Sequence, residues 1–334
     1  MNRQPPLDIV LVAYPAAQKA ALYGLTDLFN VADELSRKRL ERAMPVLRVL
    51  SVAPDQITDH RSHGAEENGP LPTAPSVVII PPSLTGPPAS ETVPDLLAWL
   101  RACHEGGSIL AAVCAGTFLL AATGLLDGRP ATTHWSAATR LQQAFPAIRI
   151  DPDRLLVDDG DILTVGGIMS WPDLGLRLID RLFGPAAMLE TARYLLIDPP
   201  RHDQRQYRHF VPNLTHGDRT ILKVQHWLRT EPARNATVAD MTLMSGLEER
   251  TFLRRFHKAT SHTPLAYLQH LRVEKGRNLL ETTTLPLDQI AWEVGYQDSG
   301  AFRKIFTRLM GQTPAGYRKR FSREPDASPA ADRI

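Results

Sequence analysis

Cysteine is nearly absent: 334 residues hold only Cys103 and Cys114. Two thiols do not make a disulfide framework, and no CxxC pair or Cys/His cluster offers a structural zinc site. A reducing, cytoplasmic setting follows as the expectation, with no metal and no cofactor. No secretory signal is expected either, because Met1–Pro6 leads into a short apolar stretch that already contains Asp8. The nearest thing to a membrane span is Ser108–Leu126, uncharged throughout and about 19 residues long. Ser108, Cys114, Gly116, Thr117, Thr123 and Gly124 interrupt it. It reads better as a buried strand, a sharp turn and a short buried helix. What is present is ordinary globular composition, 43% hydrophobic and 22% charged. That excludes a disordered, collagen-like or coiled-coil chain, and the length suggests two domains.

The small net charge of +2 hides a division. Residues 216–323 carry 18 Lys and Arg against 10 Asp and Glu, whereas residues 1–215 are mildly acidic. A basic module suits a polyanion, and the other part suits something else. Three apolar or β-branched runs, 9–13, 47–52 and 77–80, read as strands. Helical patterns at Ala20–Leu35 and Thr92–Cys103 lie between or after them, which predicts a mostly parallel sheet covered on both faces. Residues 54–75, rich in Pro, Gly and His, read as a surface loop. Ser170–Ile197 reads as helix interrupted near Gly184–Pro185. The expected organisation is a domain over 6–198, a linker over 199–215, a helical domain over 216–323 and a disordered tail over 324–334.

The basic third repeats itself. Phe252, Phe256, Thr263, Pro264 and Tyr267 recur fifty residues on as Phe302, Phe306, Thr313, Pro314 and Tyr317. Upstream, Val238–Met241 and Gly246 match Leu287–Ile290 and Gly295, one residue closer. Each copy is a short helix, a glycine turn and a second helix, a helix-turn-helix pattern. In the second helices the paired phenylalanines face the core. That turns Arg250, Leu253 and Arg254 of one copy, and Ser299, Gly300, Arg303 and Lys304 of the other, outward as candidate DNA contacts. Lys319 and Arg320 suit phosphates better than bases. These residues, from Gly246 to Phe321, resemble the DNA-binding domain of AraC/XylS transcription regulators over about a third of the chain. Where many relatives have a small polar cap, this chain has Glu248–Glu249.

Ile109–Phe118 runs from a buried strand into a helix through Cys114, Ala115 and Gly116, the layout of a nucleophile elbow. Helix amides near the sulfur would favour thiolate. The spacing alone leaves open a buried structural thiol. The text around the elbow, VAYP…GLTDLF, VVIIPPSL, LLDGRPATTHW and TVGGIMSWPDLGLRLIDRLFG, resembles the ThiJ/PfpI superfamily, which is class I glutamine-amidotransferase-like, over roughly residues 6–190. It is closest to the branch holding isonitrile hydratase-like enzymes and the N-terminal domains of GlxA-type regulators. The resemblance implies a flavodoxin-like α/β sandwich. It makes Cys114, His134 and Asp27 the candidate sensor or vestigial site, with no catalytic residue assigned outright. Ala115 stands where many hydrolases of the superfamily have His, and Ala21 where the hydratase-like enzymes have an acid. The acid/base set is therefore incomplete.

Together the two resemblances imply a DNA-binding transcription regulator, by family habit an activator and a homodimer. Its N-terminal domain would sense a small molecule or a redox signal. Double-stranded DNA, an unidentified effector and RNA polymerase are the expected partners, and no membrane is. The competing reading is a Cys114-dependent amidase or hydratase fused to a DNA-binding domain.

Overall fold

The strand segments alternate by side. In β1 (Leu7–Val12), Val10 and Val12 enter one core while Ile9 and Leu11 enter another. The same two-residue period splits β3 (Val77–Ile80) and β4 (Ile109–Val113). A strand apolar on both sides must be covered on both faces. The other elements of this part follow in chain order: α1 (Lys19–Leu40), β2 (Leu47–Val52), α2 (Pro54–Thr58), α3 (Pro94–Glu105), α4 (Gly116–Ala122), β5 (Pro130–Ala131), α5 (Ala138–Ala144), β6 (Arg149–Ile150), β7 (Leu156–Asp158), β8 (Ile162–Val165), α6 (Trp171–Phe183) and α7 (Pro185–Tyr194). The six-stranded sheet has the order β2-β1-β3-β4-β8-β7, parallel except for β7. Residues of α1, α6 and α7 join the core on one face, and residues of α3, α4 and α5 join the core on the other. This is the flavodoxin-like sandwich that the resemblance implies.

This computed structural model describes residues 5–41, 46–58, 72, 74–86, 92–199, 201, 203–230 and 236–322. The tail expected to be disordered, 324–334, lies outside them, as does most of the expected loop 54–75. The described start of that loop is the helix α2. The chain divides into two compact units, Met1–Gln204 and Arg205–Ile334.

The second unit holds α8 (Arg219–Thr230), α9 (Val238–Ser245), α10 (Glu249–Thr260), α11 (Pro264–Thr282), α12 (Leu287–Glu293), α13 (Ser299–Met310) and α14 (Pro314–Phe321). The sequence repeat is a packing repeat. The Phe252–Phe256 and Phe256–Tyr267 ring centroids lie 5.4 and 5.3 Å apart. Phe302–Phe306 and Phe306–Tyr317 both lie at 5.5 Å. Thr263 and Thr313 cap their helices alike, accepting from Ala266 and Gly316 N–H. Helix α11 serves both cores, giving Tyr267 and Leu268 to the first and Val273 and Leu280 to the second. At about 1.5 Å per residue its 19 residues span roughly 28 Å.

The segment expected as a linker has packed residues near both ends. Arg201 pairs with Asp173 at 2.7 Å. Gln204, 2% exposed, donates to the Thr133 and Arg154 carbonyls at 2.9 and 3.0 Å. In the second unit, Phe210 stacks on His270 and meets Tyr267 edge-on. These anchors are single residues in a polar run, so no periodicity announces them.

Candidate functional site

Strand β4 ends at Cys114, whose φ of +56° is left-handed, a region L side chains rarely occupy. Its backbone is fastened on both sides: the N–H donates to Val165 O at 2.6 Å, and the carbonyl accepts Thr133 Oγ1 at 2.7 Å. Strain of about 1–3 kcal/mol is usual for such a conformation and persists only when neighbours over-determine it. Gly116 lets the chain turn at once into α4. A Cβ there would stand 2.6 Å from Ile80 O and 2.8 Å from Pro81 O. Strand, strained residue and glycine-tight turn make a nucleophile elbow.

Two buried threonines bring His134 to the elbow. Thr132 N–H donates to Thr164 Oγ1 at 2.8 Å, and Thr132 Oγ1 donates to Arg154 O at 2.8 Å. With their hydroxyls satisfied, Thr132 and Thr133 sit fully buried. His134 and Cys114 then line one cavity of about 280 Å³, with Ser83, Ser136 and Arg140 as its other polar side chains. His134 Nδ1 accepts the Ser136 N–H at 3.2 Å, so in the neutral ring Nε2 carries the proton. Burial lowers the pKa of His134 and favours that neutral form.

The thiol departs from expectation. Backbone N–H groups of Ala115 and His134 do favour thiolate, but burial outweighs them and pushes the Cys114 pKa up to about 11. The sulfur is too deep for two amides to replace the water it has lost. Cys103, buried in the core on the other face of the sheet, is pushed up to about 12 by burial alone. Both cysteines are free.

Asp27 is not part of the site. The buried stripe of α1 is Ala21, Leu25, Leu28, Phe29 and Ala32, helical spacing that turns Asp27 outward, where it is exposed. Ala21 is itself fully buried. No carboxylate lines the cavity among the described residues. Sequence reasoning missed Arg140, Ser83 and Ser136. Ser136 and Arg140 lie two and six residues beyond His134 on the same stretch, so their signal is local to it, whereas Ser83 comes from a separate segment. A larger hollow of about 600 Å³ lies among Ala13, Ala53, Val93 and Pro94. No cysteine, histidine or basic side chain lines it among the described residues.

In the second unit Arg250, Leu253 and Arg254 are exposed on α10, as are Gly300, Arg303 and Lys304 on α13; Ser299 is half-buried. Phe252, Phe256, Phe302 and Phe306 are fully buried. Arg255, one position on, is spent internally in a pair with Asp218 at 2.7 Å. The helix starts differ: Asp298 accepts from Gly300 and Ala301 N–H, whereas Glu248 makes no capping hydrogen bond. Lys319 and Arg320 are exposed on α14.

Two family profiles divide along the same line. That of the DJ-1/PfpI family matches residues 71–181, which include Cys114, His134 and Arg140. That of the Helix-turn-helix domain matches residues 241–320, which include both recognition helices. The chain joins a DJ-1/PfpI domain to an AraC-type helix-turn-helix domain. It is similar to the HTH-type transcriptional regulator CdhR of Pseudomonas aeruginosa, with 28% identity over 74% of this chain and 69% of that one. It is 28% identical to the HTH-type transcriptional regulator GlxA of Rhizobium meliloti, over 66% of this chain and 68% of that one. A crystal structure of a putative transcriptional regulator protein from Vibrio parahaemolyticus aligns at 21% identity and a TM-score of 0.47, covering 57% of this chain and all of that one. In the DJ-1/PfpI domain the elbow holds a protonated thiol beside a neutral imidazole. In the helix-turn-helix domain the candidate contact residues share the exposed sides of α10 and α13. Among the described residues there is no group of three or more metal-ligating side chains and no helix long and apolar enough to cross a membrane.

Proposed function

We propose that this protein is a sequence-specific, DNA-binding transcription regulator controlled by a small-molecule effector in the elbow cavity of its DJ-1/PfpI domain. The observation that carries the reading is the exposed basic side of two matched recognition helices. The side chains of Arg250, Arg254, Arg303 and Lys304 make no hydrogen bond or ion pair with any described residue and are free for a duplex. The span of α11, about 28 Å, is compatible with helices entering successive major grooves roughly 34 Å apart. Arginine there can pair with guanine, and Lys319 and Arg320 can hold phosphates. The protein works in the cytoplasm as a homodimer and an activator that engages RNA polymerase, the habit of the families it resembles.

The elbow serves sensing rather than turnover. A thiol held protonated, an imidazole without a carboxylate behind it and an exposed Asp27 support that role over an amidase or hydratase. A ligand shifts DNA binding only if it favours one arrangement of the protein over another. The test is footprinting of the full chain on its own promoter region with and without candidate effectors, alongside a turnover assay. Effector-dependent occupancy without turnover is expected. Occupancy indifferent to every effector, or steady turnover abolished by Cys114→Ala, overturns the reading.

A further inference from the structure

The elbow cavity is furnished one-sidedly. His134 Nε2–H has no partner among the described residues, because Nδ1 takes the Ser136 contacts. The Arg140 guanidinium carbon lies 4.9 Å from the centre of the Phe118 ring, and the side chain makes no ion pair with a described residue. The backbone N–H groups of Ala115 and His134 favour negative charge at Cys114. No described carboxylate offsets them. The wall of this cavity thus carries a cation and an N–H donor and, among the described residues, no carboxylate. The rest of the wall includes Leu84, Phe118, Ala137 and Ile168.

From this arrangement we infer that the cavity binds a small monocarboxylate, its oxygens on the Arg140 guanidinium and His134 Nε2–H and its short apolar body against Leu84, Phe118 and Ile168. A guanidinium meets a carboxylate through two parallel N–H bonds, and its single charge balances a single negative charge. Inorganic phosphate carries more charge at neutral pH than one arginine balances, and it offers nothing to the apolar wall. The cavity, about 280 Å³, sits at the small end of the range for ligand sites. A neutral Cys114 thiol leaves the anion unopposed at pH 7. The inference rests on the effector reading for its biological meaning, but the binding itself is tested separately.

Calorimetry on the full chain compares straight-chain carboxylates from formate to hexanoate with their matched amides and with inorganic phosphate. At least one carboxylate is expected to bind one site per chain. A charge-assisted pair is worth about 1.5–3 kcal/mol, so its amide should bind roughly ten- to a hundredfold more weakly. Arg140→Gln should remove that preference, and Arg140→Lys should keep part of it. Arg140 is exposed, so neither variant disturbs a core. The location is read by alkylating Cys114 at mildly alkaline pH with iodoacetate or its neutral counterpart iodoacetamide. In both reactions the Sγ–C bond forms as the C–I bond breaks, iodide leaves and the thiol proton goes to solvent. The ratio of iodoacetate to iodoacetamide rates at Cys114 should exceed that of free N-acetylcysteine and fall to it in Arg140→Gln. No binding by any carboxylate, equal binding by the amides, tighter binding by phosphate, or indifference to Arg140→Gln overturns the inference. If carboxylates bind as described but leave promoter occupancy unchanged, the site stands and the effector reading fails. If only neutral compounds bind in the cavity and shift occupancy, the reverse holds.

Discussion

At Cys114 two effects oppose each other, and their sum is measurable. The amides of Ala115 and His134 pull toward thiolate, and burial pulls harder the other way. With a pKa near 11, about one thiol in ten thousand is ionised at pH 7, against a few per cent for an ordinary cysteine. Iodoacetamide labelling of Cys114, followed by peptide mass spectrometry, should therefore be slow at neutral pH and rise without a plateau through pH 9–10. A plateau below pH 8 would show that burial does not dominate. The link to stability has a definite sign. A thiol whose pKa rises on folding stabilises the fold fully below its unfolded value near 9, and that contribution is lost as pH climbs toward 11. Cys114→Ala should accordingly flatten the alkaline fall in Tm, whereas Asp27→Asn should alter neither the labelling profile nor that slope. In the helix-turn-helix domain, Arg254→Ala should lower affinity for the specific site by roughly 1–3 kcal/mol with little loss on random DNA. Equal losses on both, read by fluorescence anisotropy, would make Arg254 a phosphate contact.

The two recognition helices are alike in packing and unlike in how they begin. Asp298 satisfies two of the orphan N–H groups of α13, whereas α10 starts at Glu248 without a side-chain cap. Aspartate is a good N-cap where the longer glutamate is not, and it keeps the charge. Glu248→Asp should stabilise the first helix-turn-helix by about 1 kcal/mol, seen as a higher Tm. An unchanged or lower Tm would mean that the present loop geometry rejects the cap. Helix α4 depends on the opposite property at Gly116, the lack of a side chain. Gly116→Ala drives a methyl against the Ile80 and Pro81 carbonyls, backbone groups that cannot swing aside. The expected cost is about 1–3 kcal/mol in thermal unfolding, with Cys114 more readily labelled as the turn opens.

Across the whole chain, the DJ-1/PfpI domain ends in a buried hook. Gln204 holds the Thr133 carbonyl, and Thr133 in turn holds the Cys114 carbonyl, so the residue that leads into the second unit is two hydrogen bonds from the elbow. A change at the cavity that moves Thr133 must be felt at Gln204. Gln204→Ala removes the 2.9 Å donor of the buried Thr133 carbonyl, at a cost of about 1–3 kcal/mol, while Arg154 O keeps its bond from Thr132 Oγ1. It should preserve DNA affinity in the absence of effector while weakening the effector's influence on promoter occupancy. An unaltered effector response, measured in the same footprinting assay, would exclude this route.

Much of the protein was legible beforehand for a physical reason: periodicity and repetition are local. The runs at 47–52 and 77–80 are strands, Ala20–Leu35 lies within one helix, and the fifty-residue echo of Phe252, Phe256 and Tyr267 is a repeated core. Cys114 at a strand end followed by small residues gave away the elbow. Three things could not be read this way. The outward turn of Asp27 depends on which stripe of α1 meets the sheet. The thiol's ionisation depends on how much water packing removes from the sulfur. The cavity joins Ser83, Cys114 and the His134–Arg140 stretch from three separate segments. Elements, repeat and candidate nucleophile are properties of neighbouring residues, and the amino-acid sequence determined them alone. The composition of the elbow cavity and the protonation of its thiol arise from long-range packing and desolvation, and only the tertiary structure decided them.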